Sequence, residues 1–211
     1  MTPLTLYGCP GSGSAAVEMA LHQASLAFEL VRAASWEPGP GLDALRAINP
    51  LGQIPTLVLE DGSVLTESAA ILMHLGLQHP ASGLLPADAS ARAQAMRGLV
   101  FIAANCYAAI SVGDYPERWT SATSKSACEA VRQAARAQLH RAWELFADQF
   151  PASPFLSGAQ PGALDFLAVV VSKWSGSRAH LRQARPEFFA FLLRLEQHPA
   201  VAPVNQAHWP G

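Results

Sequence analysis

Residues 49–75 constrain the fold of this chain most, because they join a turn, a strand, a hairpin and a helix start in one continuous stretch. The first four residues, Asn-Pro-Leu-Gly at 49–52, are typical of a turn. Pro55 stands immediately before the apolar run 56–59 and cannot donate a backbone hydrogen bond to a sheet there. Asp-Gly at 61–62 then predicts a hairpin that brings the chain back alongside that run.

A helix start follows the hairpin. Thr66, Glu67 and Ser68 lead into an apolar helix whose first backbone N–H groups have no partner within the helix. These N–H groups are free to meet an anion, since the helix dipole places partial positive charge at this end. A Glu-Ser pair by itself would be an ordinary helix start, so its meaning depends on the segment before it.

The order of turn, Gln53-Ile54-Pro55, hairpin and Glu67-Ser68 resembles the glutathione-binding segment of the glutathione transferase family. The resemblance implies that Pro55 is cis and that the Ile54 backbone pairs with the cysteinyl part of glutathione. It also implies that Glu67 and Ser68 hold the γ-glutamyl end and that Gln53 reaches the glycyl end. The residue types suit this role, because an ammonium pairs with a carboxylate, and a carboxylate with a hydroxyl and helix N-terminal amides.

A second stretch resembles the folding signature of the same family. Residues 155–158 (Phe-Leu-Ser-Gly) are followed by a helix start at which the family pairs Ser or Thr with Asp in a capping box. Gly162 replaces the hydroxyl residue here, and only Asp165 remains to accept backbone N–H groups. We therefore expect Asp165 to be structural and not catalytic. The resemblance extends over residues 4–205, nearly the whole chain.

Pattern and resemblance together predict an α/β, thioredoxin-like N-terminal domain followed by an all-α C-terminal domain, the glutathione transferase architecture. Strands are predicted at 4–7 and 28–31, with a helix between them and a short helix ending near Ile48, ahead of the hairpin and its helix. The predicted domains are 1–79 and 88–211, with a linker at 80–87. Helices are predicted in the second domain at 89–110, 125–149 and 162–174 and from Pro186 to a stop before Pro199.

Composition limits the partners and the setting. The net charge of the 211-residue chain is −2 and it has no basic stripe, so neither nucleic acid nor an anionic membrane surface is an expected partner. No apolar run approaches the ~20 residues of a membrane span, and no secretory signal is visible. The three cysteines, Cys9, Cys106 and Cys128, lack metal-ligand spacing. We therefore predict a cytoplasmic protein without a metal.

The loop after the first strand holds the candidate catalytic residues. The resemblance places a thiol-activating hydroxyl near Ser12, at the start of a helix. Cys9 precedes Pro10 in an arrangement similar to that of glutaredoxins and omega-type members, in which a cysteine forms a mixed disulfide with glutathione. Ser12 and Cys9 both remain candidates, with a helix cap and a small buried side chain as their structural alternatives. Tyr7, in the first strand, is as consistent with a core position.

The resemblance implies a glutathione S-transferase that conjugates glutathione to a small hydrophobic electrophile, as a homodimer with a role in detoxification. The second substrate would lie against the helical half, where the polar and aromatic candidates are Asn105, Tyr107, Tyr115, Trp119 and Trp174. Trp36 could line the edge of the site. Two alternatives stay open. One is a glutathione-dependent thiol–disulfide oxidoreductase that uses Cys9, and the other is a glutathione transferase-like binding protein without catalysis.

Overall fold

The structure, a computed structural model, describes residues 3–210. Its N-terminal half is built on a four-stranded mixed sheet with the strand order β2-β1-β3-β4. The strands are β1 (Leu4–Gly8), β2 (Phe28–Arg32), β3 (Thr56–Val58) and β4 (Val64–Leu65). β1 runs parallel to β2 and antiparallel to β3, and β4 returns antiparallel to β3 through the predicted hairpin. The thioredoxin-like order is confirmed.

Three helices accompany the sheet: α1 (Ser14–Gln23), α2 (Pro40–Ile48) and α3 (Ser68–Gln78). Every residue of α1 from Ser14 to Leu21 is buried, since this helix lies between the sheet and the helices of the second half. Burial on all sides explains why its sequence is rich in alanine and carries only one charged side chain in that stretch, Glu18.

The second half is mostly helical, as predicted. Its helices are α4 (Ala89–Phe101), α5 (Ala108–Asp114), α6 (Lys125–Gln149), α7 (Ala163–Val171), α8 (Ser177–Ala184), α9 (Pro186–Glu196) and α10 (Ala202–His208). A π-helical segment, Ile102–Tyr107, joins α4 to α5 in one continuous helix. The predicted helix 162–174 is too long, because the chain leaves α7 at Val171 and turns through Ser175 and Gly176, which both have positive φ. α8 and α10 carry too few apolar residues to have been recognised as separate elements.

One hydrophobic core extends through both halves. Leu6 and Leu21 from the first half and Trp143 and Phe166 from the second are fully buried members of it. Gln23 adds a polar connection, because its side-chain amide donates to the carbonyls of Ser82 and Pro161. The region predicted as a linker contains a single 3₁₀ turn, Pro80–Ser82, and thus joins two parts that share their interior.

The continuous helix 89–114 is the one helix among residues 3–210 that is long and apolar enough to cross a membrane by length and composition. The sequence alone suggested no such run, because alanines and scattered polar residues interrupt the strongly apolar positions. Core helices of soluble proteins satisfy the same test, so the absence of a membrane partner stays a prediction.

Asp165 has the structural position expected of it. Its fully buried carboxylate accepts hydrogen bonds from the backbone N–H groups of Leu156, Ser157 and Gly162, at 2.8 to 3.0 Å. The structure also explains the glycine at 162. A Cβ there would lie 2.6 Å from the Leu84 carbonyl oxygen and 2.9 Å from the Ser157 side chain, so a larger residue does not fit.

Candidate active site

A cavity of about 580 Å³ lies between the sheet half and the helical half. It is lined by six of the seven predicted site residues: Ser12, Gln53, Ile54, Pro55, Glu67 and Ser68. Cys9, the seventh, is not among the lining residues and is 4% exposed. The fold thus brings together side chains from the loop before α1, the loop before β3 and the N-terminus of α3.

Asn49 fixes the loop that presents residues 53–55. Its buried side-chain amide donates to the Gln53 carbonyl and to the Thr56 hydroxyl, both at 3.0 Å, and its oxygen accepts from the Leu51 N–H. Thr56 in turn donates to the Gln53 carbonyl at 2.8 Å. These bonds hold the segment on both sides of the Ile54–Pro55 peptide bond, so its shape does not depend on a ligand.

The Ile54–Pro55 peptide bond is cis, in agreement with the resemblance. Within residues 3–210 no backbone group outside the strands hydrogen-bonds to Ile54. Its N–H and C=O therefore remain available to an extended peptide ligand, which would pair with it as a strand does. The Gln53 side chain is exposed at the cavity rim.

Glu67 stands at the N-cap of α3 in a backbone conformation that side chains rarely adopt, with φ 64° and ψ 107°. Such a conformation costs roughly 1–3 kcal/mol and is concentrated at functional sites. It leaves the carboxylate exposed beside the cavity, and no side chain caps the helix. The N-terminus of α3, with Ser68, thus lines the cavity next to a carboxylate.

Ser12 belongs to a chain of buried polar groups that leads away from the cavity. Its Oγ lies 3.0 Å from Ser14 Oγ, which lies 3.3 Å from Glu18 Oε1. The same Glu18 oxygen is 2.8 Å from His208 Nε2. All four residues are less than a tenth exposed.

The direction of these hydrogen bonds makes Ser12 a donor. The Ser14 N–H donates to Ser12 Oγ at 3.2 Å, and a Glu18 carboxylate can only accept, so the Ser14 hydroxyl donates to it. When the Ser14 proton is directed to Glu18 Oε1 or to the Cys9 carbonyl at 3.5 Å, Ser12 is the donor in the contact between the two hydroxyls. To donate to a bound anion, the Ser12 O–H would turn away from Ser14, while its oxygen keeps the hydrogen bond from the Ser14 N–H.

Cys9 lies behind this loop. Burial raises the pKa of the Cys9 thiol above its ordinary value, while a hydrogen bond with Ser12 and the charge of Arg32 act in the opposite direction. At neutral pH the group is thus a thiol and not the thiolate that attacks disulfides. Tyr7 is also outside the cavity, where its ring packs beside Leu42 and Leu45 of α2.

The helical wall of the cavity contains three of the five predicted polar and aromatic candidates, Tyr107, Tyr115 and Trp174, and Trp36 lies at the edge. The other two are not in the wall. Asn105 is exposed and bonds its own helix at the Phe101 carbonyl, and Trp119 is 61% exposed. Around Tyr107 the wall is largely apolar, with Ala103, Ala108 and Ile110 among its members.

Comparison with known proteins identifies the family. A family model described as the glutathione S-transferase N-terminal domain matches residues 13–78. The uncharacterized GST-like protein YncG of Escherichia coli K12 is 30% identical over 173 residues, which cover 81% of this chain and 82% of that protein. The chain belongs to the glutathione S-transferase family. The predicted family, and the enzyme class that goes with it, are confirmed.

Solved glutathione S-transferases have the same overall structure. A glutathione transferase homolog from Sulfitobacter with bound glutathione superposes with a TM-score of 0.83 at 27% identity, covering 98% of each chain. The bacterial transferase BphK, solved as a ternary complex, has a TM-score of 0.78 at 31% identity and covers 97% of this chain. GstA of Escherichia coli O157:H7 is 25% identical over 94% of this chain. The predicted fold class is therefore confirmed.

Several residues of this transferase site have no strong local signal in the sequence. Asn49 is typical of a turn, and Glu18 and His208 each look like an ordinary helical residue until the fold brings them together.

Among residues 3–210 no group of three or more His, Cys, Asp or Glu could hold a metal ion. The three cysteines are free.

Proposed function

We propose that this transferase conjugates reduced glutathione to a small hydrophobic electrophile. One observation carries the proposal: a single cavity combines the free Ile54 backbone beside a cis proline, a strained Glu67, Ser68 at a helix N-terminus, and the Ser12 hydroxyl. These groups match the cysteinyl backbone, the γ-glutamyl ammonium and carboxylate, and the thiol of one tripeptide. The solved relatives from Sulfitobacter and from a sphingomonad contain glutathione.

In this proposal each end of glutathione has its own partner. The Glu67 carboxylate pairs with the α-ammonium, and the Ser68 hydroxyl and the first N–H groups of α3 receive the α-carboxylate. The cysteinyl residue pairs with the Ile54 backbone and places its sulfur near the start of α1. Gln53 at the rim donates its amide to the glycyl carboxylate.

Ser12 then stabilises the thiolate. Its O–H donates to the sulfur and lowers the pKa of the bound thiol, whose proton leaves to solvent. A sulfur lone pair forms the S–C bond to the electrophilic carbon, and the leaving group departs with the electron pair of its broken bond. The Ser12 hydroxyl keeps its proton throughout.

The apolar helical wall supports a hydrophobic second substrate. Flat organic molecules would pack against Tyr107 and Trp174, whose rings meet edge to face with centroids 5.5 Å apart.

We also propose a homodimer in a cytoplasmic, detoxifying role, as the family resemblance implies. Large exposed hydrophobic residues in both halves, Leu51, Leu77 and Val100 among them, are available for such an interface. Light scattering after gel filtration measures the oligomeric state.

The two alternatives have less support. The buried position and raised pKa of Cys9 disfavour an oxidoreductase in which Cys9 attacks a disulfide. A binding protein without catalysis would not need the Ser12 hydroxyl in the same cavity as the groups proposed to bind glutathione. Intact-protein mass spectrometry after incubation with oxidised glutathione tests the first alternative. A reversible adduct that disappears in Cys9→Ser would establish the oxidoreductase.

The test of the transferase is twofold. Calorimetry should detect binding of reduced glutathione, and conjugation to chlorodinitrobenzene should be measurable with the purified protein. Ser12→Ala should retain binding and lose roughly 100-fold in kcat, as expected for removal of one donor to a developing anion. Ser90→Ala, on the exposed face of α4, is the matched control and should behave as wild type. Absence of glutathione binding by the folded wild type would refute the proposal.

A further inference from the structure

Tyr107 lies where the helix that forms the wall of the cavity changes from π-helical to α-helical hydrogen bonding. It is the last residue of the π-helical segment Ile102–Tyr107, after which α5 continues with ordinary helical hydrogen bonds. One extra residue in a turn rotates the following side chains relative to the preceding ones. Short π-helical segments inside α-helices are frequently found at functional sites.

The Tyr107 hydroxyl reaches across the cavity to the loop before α1. A Cβ on Gly13 would overlap this hydroxyl, and would lie 3.5 Å from Tyr107 Cζ and 3.4 Å from Pro55 Cδ. The phenol oxygen therefore fills the space of a side chain at position 13, between the loop and the cis proline. Glycine at 13 is what allows this close approach.

This hydroxyl makes no hydrogen bond to any of residues 3–210, in contrast to the Ser12 hydroxyl, which contacts Ser14. The ring packs edge to face with Trp174, with the two centroids 5.5 Å apart. A packed ring with an unpaired O–H at the cavity surface is arranged to donate to a ligand that enters the cavity.

We infer that Tyr107 is a second catalytic residue, whose phenol O–H donates to the glutathione sulfur from the helical half while Ser12 donates from the sheet half. The inference rests on the proposed function, which puts the cysteinyl residue against Ile54 and Pro55. Its sulfur would then lie near the loop that the Tyr107 hydroxyl faces. The phenol keeps its proton, and the thiol proton still leaves to solvent.

The protonation state of Tyr107 agrees with this role. Burial, with smaller contributions from the negative charges of Glu67 and Asp114, raises the pKa of Tyr107 to about 12. The phenol is therefore a donor at neutral pH and not a base. A catalytic base would need a pKa near the working pH, which these surroundings oppose.

The test measures the pKa of the enzyme-bound glutathione thiol from the ultraviolet absorption of the thiolate across a pH series. Tyr107→Phe keeps the ring and its packing on Trp174 and removes only the donor. We expect it to retain glutathione affinity, to raise the pKa of the bound thiol by about 1 to 2, and to lower kcat/KM about 10- to 100-fold at neutral pH. Tyr7→Phe, the same change outside the cavity, should leave the thiol pKa unchanged.

The outcomes separate this inference from the proposed function. If wild type fails to bind glutathione, the proposed function itself is wrong. If wild type binds glutathione and Tyr107→Phe has an unchanged thiol pKa, the inference about Tyr107 is overturned, even when turnover of one electrophile falls. In that case Tyr107 contacts the second substrate only. If Tyr107→Phe raises the pKa of the bound thiol, and the double variant with Ser12→Ala raises it further, the result would support two donors to one sulfur.

Discussion

Glu18 Oε1 and His208 Nε2 lie 2.8 Å apart in the interior, although 190 positions separate the two residues in the chain. The contact joins α1, which begins at the proposed glutathione site, to α10, the last helix. Glu18 also accepts a hydrogen bond from the Ser14 hydroxyl, and the Ser14 hydroxyl contacts that of Ser12. The C-terminal helix is therefore connected by hydrogen bonds to the residue proposed to activate the thiol.

Removal of the imidazole should weaken both the fold and this connection. His208→Ala leaves the buried Glu18 carboxylate with one strong donor fewer and opens a void beside α1. We expect a loss of about 2–4 kcal/mol in the free energy of unfolding, measured by urea denaturation. Gln206→Ala, on the exposed side of the same helix, is the control and should change stability by less than about 0.5 kcal/mol. Equal stability of His208→Ala and wild type would mean that the pair is not important for folding.

The close approach of Gly13 and Tyr107 can be tested by stability alone. Gly13→Ala introduces a Cβ that overlaps the Tyr107 hydroxyl, so one of the two must move. We expect Gly13→Ala to cost about 1–3 kcal/mol, as overpacking usually does. Tyr107→Phe removes the overlapping oxygen, so the alanine should cost clearly less in that background. A double-mutant cycle by thermal or urea denaturation measures the difference. Strictly additive effects would show that the two residues do not meet.

Restoring the family's hydroxyl at the capping box should destabilise this protein. In Gly162→Ser the new Cβ would lie 2.6 Å from the Leu84 carbonyl oxygen, which is backbone and cannot turn away. We expect a loss of about 1–3 kcal/mol in place of the gain that a helix cap usually gives. Denaturant unfolding measures it. Asp165→Asn should also destabilise the protein, since one amide oxygen cannot replace two carboxylate oxygens that receive three N–H groups. A stabilised Gly162→Ser would contradict the packing described for Leu84.

The reactivity of Cys9 should depend on pH in a way that reflects its burial. Its raised pKa means that the native thiol stays protonated as the pH rises past the ordinary value of 9.0. In a variant with Cys106 and Cys128 changed to alanine, iodoacetamide should label Cys9 far more slowly in the native than in the urea-unfolded protein at pH 8. The unfolded chain loses this proton first, so the shift also removes stability as the pH rises above the ordinary value. Faster labelling of the native protein would indicate an activated thiolate and favour the oxidoreductase.

Local sequence patterns were sufficient to predict most of the helices and strands. The alternation of turn residues and apolar runs predicted the hairpin of β3 and β4, and Pro186 predicted the start of α9. For α2 only the end near Ile48 was predicted. The same reasoning missed α8, because its sequence has few apolar residues. It extended α7 too far, because two positive-φ residues end the helix region without a proline.

What the sequence determined by itself is local chemistry: the cis-proline segment, the Glu67-Ser68 helix start and the buried Asp165 cap. The turn, the hairpin and the two helix starts follow from residue types and spacing, because the residues that form each of them lie close in the chain, while the cis state of Pro55 was implied by the family resemblance. Only the tertiary structure decided that Ser12 lines the cavity while Cys9 lies behind it, three positions away. Likewise, the meetings of Gly13 with Tyr107 and of Glu18 with His208 depend on how distant helices pack. Packing distances of this kind are set by the whole core, and no short segment encodes them.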